Sequence, residues 1–62
     1  MQYKIKEIRE RKGITQEQLA ERSGVSRATI IQLENNEEHE ALVGTLKAVA
    51  KALGVPLHKI FG

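Results

Sequence analysis

The sequence predicts an all-α fold of five short helices that form one small domain over residues 1–62. Apolar residues recur at the three- and four-residue spacing of an α-helix, and glycines stand where helices would end. The 62 residues include no cysteine, so neither a disulfide framework nor a thiolate metal site supports the fold. With one Tyr, one Phe and no Trp, the core is expected to be aliphatic.

The helix boundaries follow from capping residues, glycine and proline as well as from apolar spacing. Ile5 and Ile8 lie one turn apart and give the first helix an inward face, and Gly13 ends that helix. Pro56 suits the first turn of a short last helix. In chain order, the predicted helices cover residues 2–12, about 16–23, about 27–35, 42–53 and 56–61.

The fourth predicted helix carries an apolar stripe that is expected to face the core. Gly44 costs about 1 kcal/mol relative to alanine within a helix, so it is expected either to permit a close approach to helix three or simply to be tolerated. The inward residues of this helix are Val43, Leu46, Val49, Ala50 and Leu53.

Residues 15–35 contain the most informative motif of the chain, two short helices joined by a tight turn. Thr15 is predicted to cap the second helix, with Gln18 as the reciprocal partner of a capping box. Gly24 provides the left-handed backbone of a tight turn, and Ser26 caps the third helix. Two helices separated by three or four residues that include a glycine are typical of a helix-turn-helix.

These motifs resemble the Xre/Cro/C1-type transcriptional regulators, the family of the small phage repressors. The resemblance extends over nearly all of residues 3–61 and implies a five-helix, lambda-repressor-like DNA-binding domain with its helix-turn-helix at about 15–35. The matching segments are GITQ (13–16), LA (19–20), GVS (24–26), TI (29–30), LEN (33–35), TL (45–46) and AKALGV (50–55).

The resemblance implies that the third helix enters the major groove of double-stranded DNA and reads base edges through Arg27, Ala28 and Gln32. The residue types suit this role. Arginine can donate two hydrogen bonds to guanine, glutamine can pair with adenine, and alanine can lie against a thymine methyl. The alternative for Arg27 is a solvated surface arginine.

The resemblance also implies phosphate contacts at Thr15, Gln16, Ser26 and Asn35. Helix N-termini favour anions because their unpaired N–H groups and the positive end of the helix dipole point outward. For Thr15 and Ser26, the alternative is that the hydroxyl groups serve as helix caps alone.

In the family, an arginine at the position of Arg9 pairs with the glutamate that ends the third helix, here Glu34. We therefore expect a structural ion pair between Arg9 and Glu34. A phosphate contact by Arg9 is the alternative.

A homodimer is expected because one short helix reads too few base pairs to discriminate well between sequences. The candidate dimer surface lies around the last helix and comprises Val55, Pro56, Leu57 and Phe61. Phe61 could instead belong wholly to the core, which would leave Leu57 as the exposed anchor.

Two features depart from the family pattern. Many members carry glycine and then a basic residue after the asparagine, whereas this chain has Asn-Glu-Glu-His-Glu at 36–40, which would repel phosphates. Ile31 is an apolar residue expected at or near the surface, where the family often has a small or polar one. An ordinary exposed apolar residue is the favoured interpretation, and contact with a thymine methyl or with a partner protein are the alternatives. Both features favour an alternative function, a protein-interaction module such as an antitoxin-like or anti-repressor-like partner.

Other functions are not expected. The net charge of +2 permits polyanion binding without arguing for it. The His and Glu residues at 37–40 are adjacent in sequence, so a solvated loop is favoured over a metal site. Neither a catalytic motif nor an apolar run of membrane-spanning length is present. We expect a cytoplasmic protein that is not an enzyme and takes no cofactor, metal or small-molecule ligand.

Overall fold

A computed structural model describes residues 3–35 and 41–61 of the chain. Over these residues the fold consists of four α-helices and one short 3₁₀ helix, with a single antiparallel bridge pair and no β-strand. None of the described helices is both long and apolar enough to cross a membrane. The helices are α1 (Ile5–Arg11), α2 (Gln16–Ser23), α3 (Arg27–Glu34), α4 (Val43–Leu53) and the 3₁₀ helix (Leu57–Ile60).

The all-α class is confirmed, but the predicted count of five helices is not, because the described residues form four α-helices and one 3₁₀ helix. The last predicted helix is a single 3₁₀ turn in which the Lys59 amide donates to the Pro56 carbonyl oxygen at 3.0 Å. Four residues offer too few i→i−4 hydrogen bonds for a stable α-helix, and the chain turns extended at Phe61 (φ −87°, ψ 136°). Helix α1 is also shorter than predicted, since it begins at Ile5.

The core is aliphatic, as predicted, and every helix contributes to it. Helix α2 packs against both α3 and α4, helix α1 packs against α3 and α4, and the 3₁₀ helix packs against α4. Burial of these side chains supplies most of the stabilisation available to so small a domain. The buried hydrophobic residues are Ile5, Ile8, Ile14, Leu19, Ile30, Leu33, Leu46, Val49, Ala50, Leu53 and Ile60.

The predicted inward position of Val43 is wrong. Val43 is 60% exposed, and its neighbour Leu42 is 76% exposed. Leu46 begins the buried stripe of α4, one turn later. Helical spacing places Val43 on the same stripe, but the described part of the chain leaves the first turn of α4 uncovered.

Capping residues set the starts of α2 and α3 as predicted. Thr15 Oγ1 accepts a hydrogen bond from the Gln18 amide at 3.1 Å, and Gln18 Oε1 accepts one from the Thr15 amide at 2.9 Å. This reciprocal pair is the predicted capping box. Ser26 Oγ accepts from the Thr29 amide at 3.2 Å, and Gly24 adopts the left-handed conformation (φ +73°) that the turn requires.

A contact between the two ends of the described chain closes the fold beside α1. Tyr3 and Phe61 form an antiparallel bridge pair, and their rings lie 6.0 Å apart. The Lys4 amide donates to the Ile60 carbonyl oxygen at 2.7 Å. The 3₁₀ helix is thereby tied to the start of α1 as well as to α4.

Gly24 and Gly44 provide opposite tests of backbone conformation. A β-carbon at either position would meet no atom of the described residues within 4 Å, so Gly44 does not permit a close helix approach and is simply tolerated. We expect Gly24→Ala to lower the free energy of unfolding by about 1–2 kcal/mol, because alanine at this position would have to adopt the left-handed backbone conformation. No steric clash of its β-carbon adds to this cost. Urea denaturation followed by circular dichroism measures the change.

Gly44→Ala is the matched control for this substitution. Because Gly44 lies on a helix and has open space, alanine is expected to raise the free energy of unfolding by about 0.5–1 kcal/mol. Equal effects of the same sign from both variants would contradict the assigned turn.

Candidate nucleic-acid interface

The starts of α2 and α3 lie beside one another on one face of the molecule. Arg27, the first residue of α3, reaches Glu17 in the first turn of α2, with Nη1 and Oε1 3.9 Å apart. Both residues border a shallow depression that also contains Thr15, Gln16 and Arg9. Because both helices point their N-terminal ends at this region, their dipoles and unpaired amides favour an anion there.

Glu34 joins the three helices that surround this depression. Its side chain is 2% exposed and accepts three hydrogen bonds. Arg9 Nε donates to Oε2 at 2.6 Å and Arg9 Nη2 donates to Oε1 at 3.1 Å, which makes the pair bidentate. Gln16 Nε2 donates to Oε1 at 3.0 Å. Residues from α1, α2 and α3 thus meet on one carboxylate.

Arg9 is held on both sides of its guanidinium. Its Nη1 donates to the Ile14 carbonyl oxygen at 2.8 Å, and its side chain is only 12% exposed. Hydrogen bonds to Glu34 raise the pKa of Arg9 above its ordinary value, and this effect exceeds the opposing effect of burial. A raised folded-state pKa contributes stability that is fully present below the unfolded value. It is lost only in strongly alkaline solution.

Arg27, Ala28 and Gln32 are all exposed on α3. At 100° per residue they span an arc of about 140° around the helix axis, so the three side chains project from one side. The Arg27 side chain is 58% exposed, and its contact with Glu17 is long. Surface pairs of this kind contribute about 0–1 kcal/mol, so Arg27 can exchange this partner at little cost.

Ile31 falls within the same arc of α3, between Arg27 and Ala28 in projection. It is half-buried, in keeping with its expected place at or near the surface. An apolar side chain therefore lies among the polar groups of this face.

The hydroxyl groups of Thr15 and Ser26 both serve as helix caps. Capping uses an oxygen lone pair, so the Thr15 hydroxyl hydrogen remains a possible donor. Ser26 Oγ also lies 2.9 Å from Thr29 Oγ1. Asn35 ends α3, and its amide donates to the Ile31 carbonyl oxygen, so a further contact would use its exposed side chain.

The predicted dimer residues differ in burial. Val55, Leu57 and Phe61 are half-buried against the core, so Phe61 is not wholly internal, and Pro56 is exposed. Val55 and Pro56 border a groove that also contains Lys59. If this part of the surface lay on a two-fold axis, Lys59 of one copy would face Lys59 of the other, and the two positive charges would repel each other.

The acidic stretch 36–40 and its candidate metal ligands lie outside the described residues. Within residues 3–35 and 41–61, no group of three or more potential metal ligands comes together.

The bond between Gln16 and Glu34 was not predicted, and neither was the contact of Arg9 with the Ile14 carbonyl group. For Gln16, the family resemblance implies only a phosphate contact. Its position at the first residue of α2 gives no signal for a partner 18 residues away. The helix packing brings the two side chains together.

Comparison with known proteins identifies the family. A family model described as helix-turn-helix matches residues 5–60, which is nearly the whole chain. The chain belongs to the helix-turn-helix family of Xre/Cro/C1-type regulators. Membership agrees with the prediction that the chain is not an enzyme.

Curated members of this helix-turn-helix family resemble the chain over most of its length. An immunity repressor protein of Bacillus phage phi105 is 41% identical over 95% of this chain. An uncharacterised HTH-type transcriptional regulator of Methanothermobacter thermautotrophicus is 48% identical over 81% of it. A similarly described regulator of Methanocaldococcus jannaschii is 41% identical over 98% of it.

The chain spans 40% of the phage repressor, 71% of the Methanothermobacter protein and 91% of the Methanocaldococcus protein. The chain therefore spans less than half of the phage repressor and most of the other two proteins.

The Glu34 cluster predicts a large loss of stability on substitution. We expect Glu34→Gln to lower the free energy of unfolding by about 3–5 kcal/mol, because it leaves the largely buried Arg9 without a carboxylate. Such a loss is comparable with the whole stability of a domain this small, so the urea unfolding transition should shift strongly or vanish.

Glu7→Gln provides the matched control. Glu7 pairs with Arg11 at 3.3 Å, but both side chains are more than 60% exposed, so the expected change is below about 0.5 kcal/mol. Similar losses in the two variants would contradict the structural role assigned to Glu34.

Proposed function

We propose that this domain binds double-stranded DNA sequence-specifically, with α3 in the major groove, and that it regulates transcription by occupying an operator. The observation that carries the proposal is the exposed set of Arg27, Ala28 and Gln32 beside two capped helix starts. Family membership supports the coarser statement that this is a DNA-binding regulator fold.

The three exposed residues of α3 would contact the bases. Arg27 has the donors to bind the O6 and N7 atoms of guanine, and Gln32 can pair with adenine. Ala28 is small enough to let the helix approach closely, and its methyl group fits against that of thymine. Ile31, half-buried in the same arc, adds apolar surface for a second thymine methyl.

Phosphate contacts orient the helix in the groove. The start of α2 supplies unpaired amides, and Gln16 has a second N–H on its side-chain amide besides the one donated to Glu34. Arg9 holds the Glu34 carboxylate in place. Because Gln16 donates to that carboxylate, the direction of the Gln16 side chain is fixed before DNA binds. Thr15, Ser26 and Asn35 complete the proposed phosphate set. Arg9 serves the fold through Glu34.

Dimerisation would provide the number of base contacts that specificity needs. Two copies related by a two-fold axis would read half-sites about 34 Å apart, one helical turn of DNA. Leu57 and Phe61 are the best candidates for the contact, because both are half-buried apolar residues. Val55 and Pro56 are less suitable because Lys59 borders the same groove.

We further propose that the domain regulates transcription as a repressor. The relative from phage phi105 is named an immunity repressor, and the archaeal relatives are named transcriptional regulators. Occupying a promoter-proximal operator needs only the domain and its DNA, and such a protein would work in the cytoplasm.

A protein-interaction role is the second candidate. The exposed pair Leu42 and Val43, one residue after the acidic stretch 36–40, favours it. This candidate predicts binding that depends little on salt. DNA binding should instead weaken steeply as the salt concentration rises.

Selection from random duplex DNA, at low and at physiological salt, tests the proposed function. We expect enrichment of a palindromic sequence. Arg27→Ala should weaken binding to it by about 1–3 kcal/mol and relax the base preference at one position of each half-site.

Arg11→Ala is the control for Arg27→Ala, because Arg11 is also an exposed arginine in a surface ion pair, and it lies outside the depression at the helix starts. It should leave the preferred sequence unchanged. Failure to enrich any sequence at either salt concentration would contradict the proposal.

Gln16→Ala separates phosphate from base contacts. We expect this variant to bind all duplexes more weakly by a similar factor while keeping the same preferred sequence, since phosphates carry no direct sequence information. Titrations of the selected duplex and of two duplexes with single base changes measure the effect. A changed order of preference would contradict the assignment.

A further inference from the structure

A second charged surface lies away from the helix starts. It is an open groove of about 500 Å³ between α1 and the segment that follows α4. Four cationic side chains border it, and we call it the basic groove: Lys4, Arg11, Lys12 and Lys59. Nothing in the proposed DNA contact uses these residues.

The basic groove concentrates positive charge. Its four cations and the single carboxylate of Glu7 give it a net charge of +3, which exceeds the +2 of the whole chain. The Glu7 carboxylate already forms an ion pair with Arg11, with Oε1 and Nη2 3.3 Å apart. Among the residues that the structure describes, no carboxylate lies within ion-pair distance of Lys4, Lys12 or Lys59. Anions are therefore attracted to this groove.

The floor of the basic groove is apolar. It is formed by Ile8, Val55 and Pro56, with Pro56 exposed. The Lys12 side chain crosses from the end of α1 toward the end of α4, where its Nζ lies 3.9 Å from the position of a β-carbon on Gly54. An apolar floor between cationic walls fits a ligand that has both an apolar side chain and carboxylates.

The position of the basic groove separates it from the proposed DNA surface. Arg9 borders the depression beside the start of α2, whereas Glu7 borders the basic groove. Around the axis of α1, Glu7 lies about 160° from Arg9 and Lys12 about 60° from it, so the two surfaces occupy different sides of α1. They share no lining residue.

These observations distinguish between possible occupants. A second copy placed symmetrically would bring like charges together, which is unfavourable. Nucleic acid would match the cations but would place its phosphates against Ile8, Val55, Pro56 and the Glu7 carboxylate. We propose that the basic groove binds an acidic segment of a partner protein that inserts an apolar side chain onto the floor.

The test is selection of random peptides of about 12 residues, displayed on phage, against the whole immobilised chain. Enriched peptides should be rich in Asp and Glu and carry one or more large apolar residues. Synthetic, labelled copies should then bind the Lys4→Glu/Lys59→Glu variant at least about tenfold more weakly, because two rim charges are reversed.

Lys6→Glu/Lys47→Glu is the matched control. It changes the net charge equally at two exposed lysines outside the groove, and peptide binding should fall by less than about threefold. Circular dichroism melting verifies folding, and Lys12→Glu serves as a second groove variant if the double variant does not fold.

Three results would overturn the proposal. The first is that no acidic peptide is enriched, and the second is that peptide binding falls equally in the groove and control variants. The third comes from titrating duplex DNA in parallel. If Lys4→Glu/Lys59→Glu reduces duplex binding as much as Arg27→Ala does, with no peptide bound, the groove belongs to a nucleic-acid surface.

Discussion

The Glu34 carboxylate is the constraint on which the rest of this structure depends. A nearly buried anion is costly unless it is fully hydrogen-bonded, and here Arg9 and Gln16 satisfy it from two other helices. Apolar packing is non-directional and would tolerate small rotations of α3. The bidentate contact with Arg9 is directional, so it fixes the end of α3 relative to α1 and to the start of α2.

This constraint links the fold to the proposed function. The start of α3 carries Arg27 and Ala28, and its end carries Glu34, so fixing the end of an eight-residue helix also fixes the direction in which its exposed face projects. Gln16 contributes to the fold through the amide hydrogen that it donates to Glu34, and its second amide hydrogen is the donor for the proposed phosphate contact. The basic groove has a separate set of charges and shares no lining residue with the depression beside α2 and α3.

Local signals in the sequence predicted much of the fold. The capping box of Thr15 and the left-handed Gly24 depend on residues within one turn of each other, and both were predicted correctly. Helical periodicity placed Val43 on the buried stripe of α4, but it cannot tell where the neighbouring helices end. The contact of Gln16 with Glu34 depends on tertiary packing across 18 residues, so only the structure could reveal it. The base and phosphate contacts remain predictions from the family resemblance.

The proposed function requires that DNA bind to the face formed by the starts of α2 and α3. The most direct test is to map backbone amide chemical shifts of the isotope-labelled chain while the selected duplex is added. We expect the largest changes at residues 15–17 and 26–32, with small changes at Lys4 and Lys59. The largest changes around the basic groove, or changes spread evenly over all helices, would contradict it.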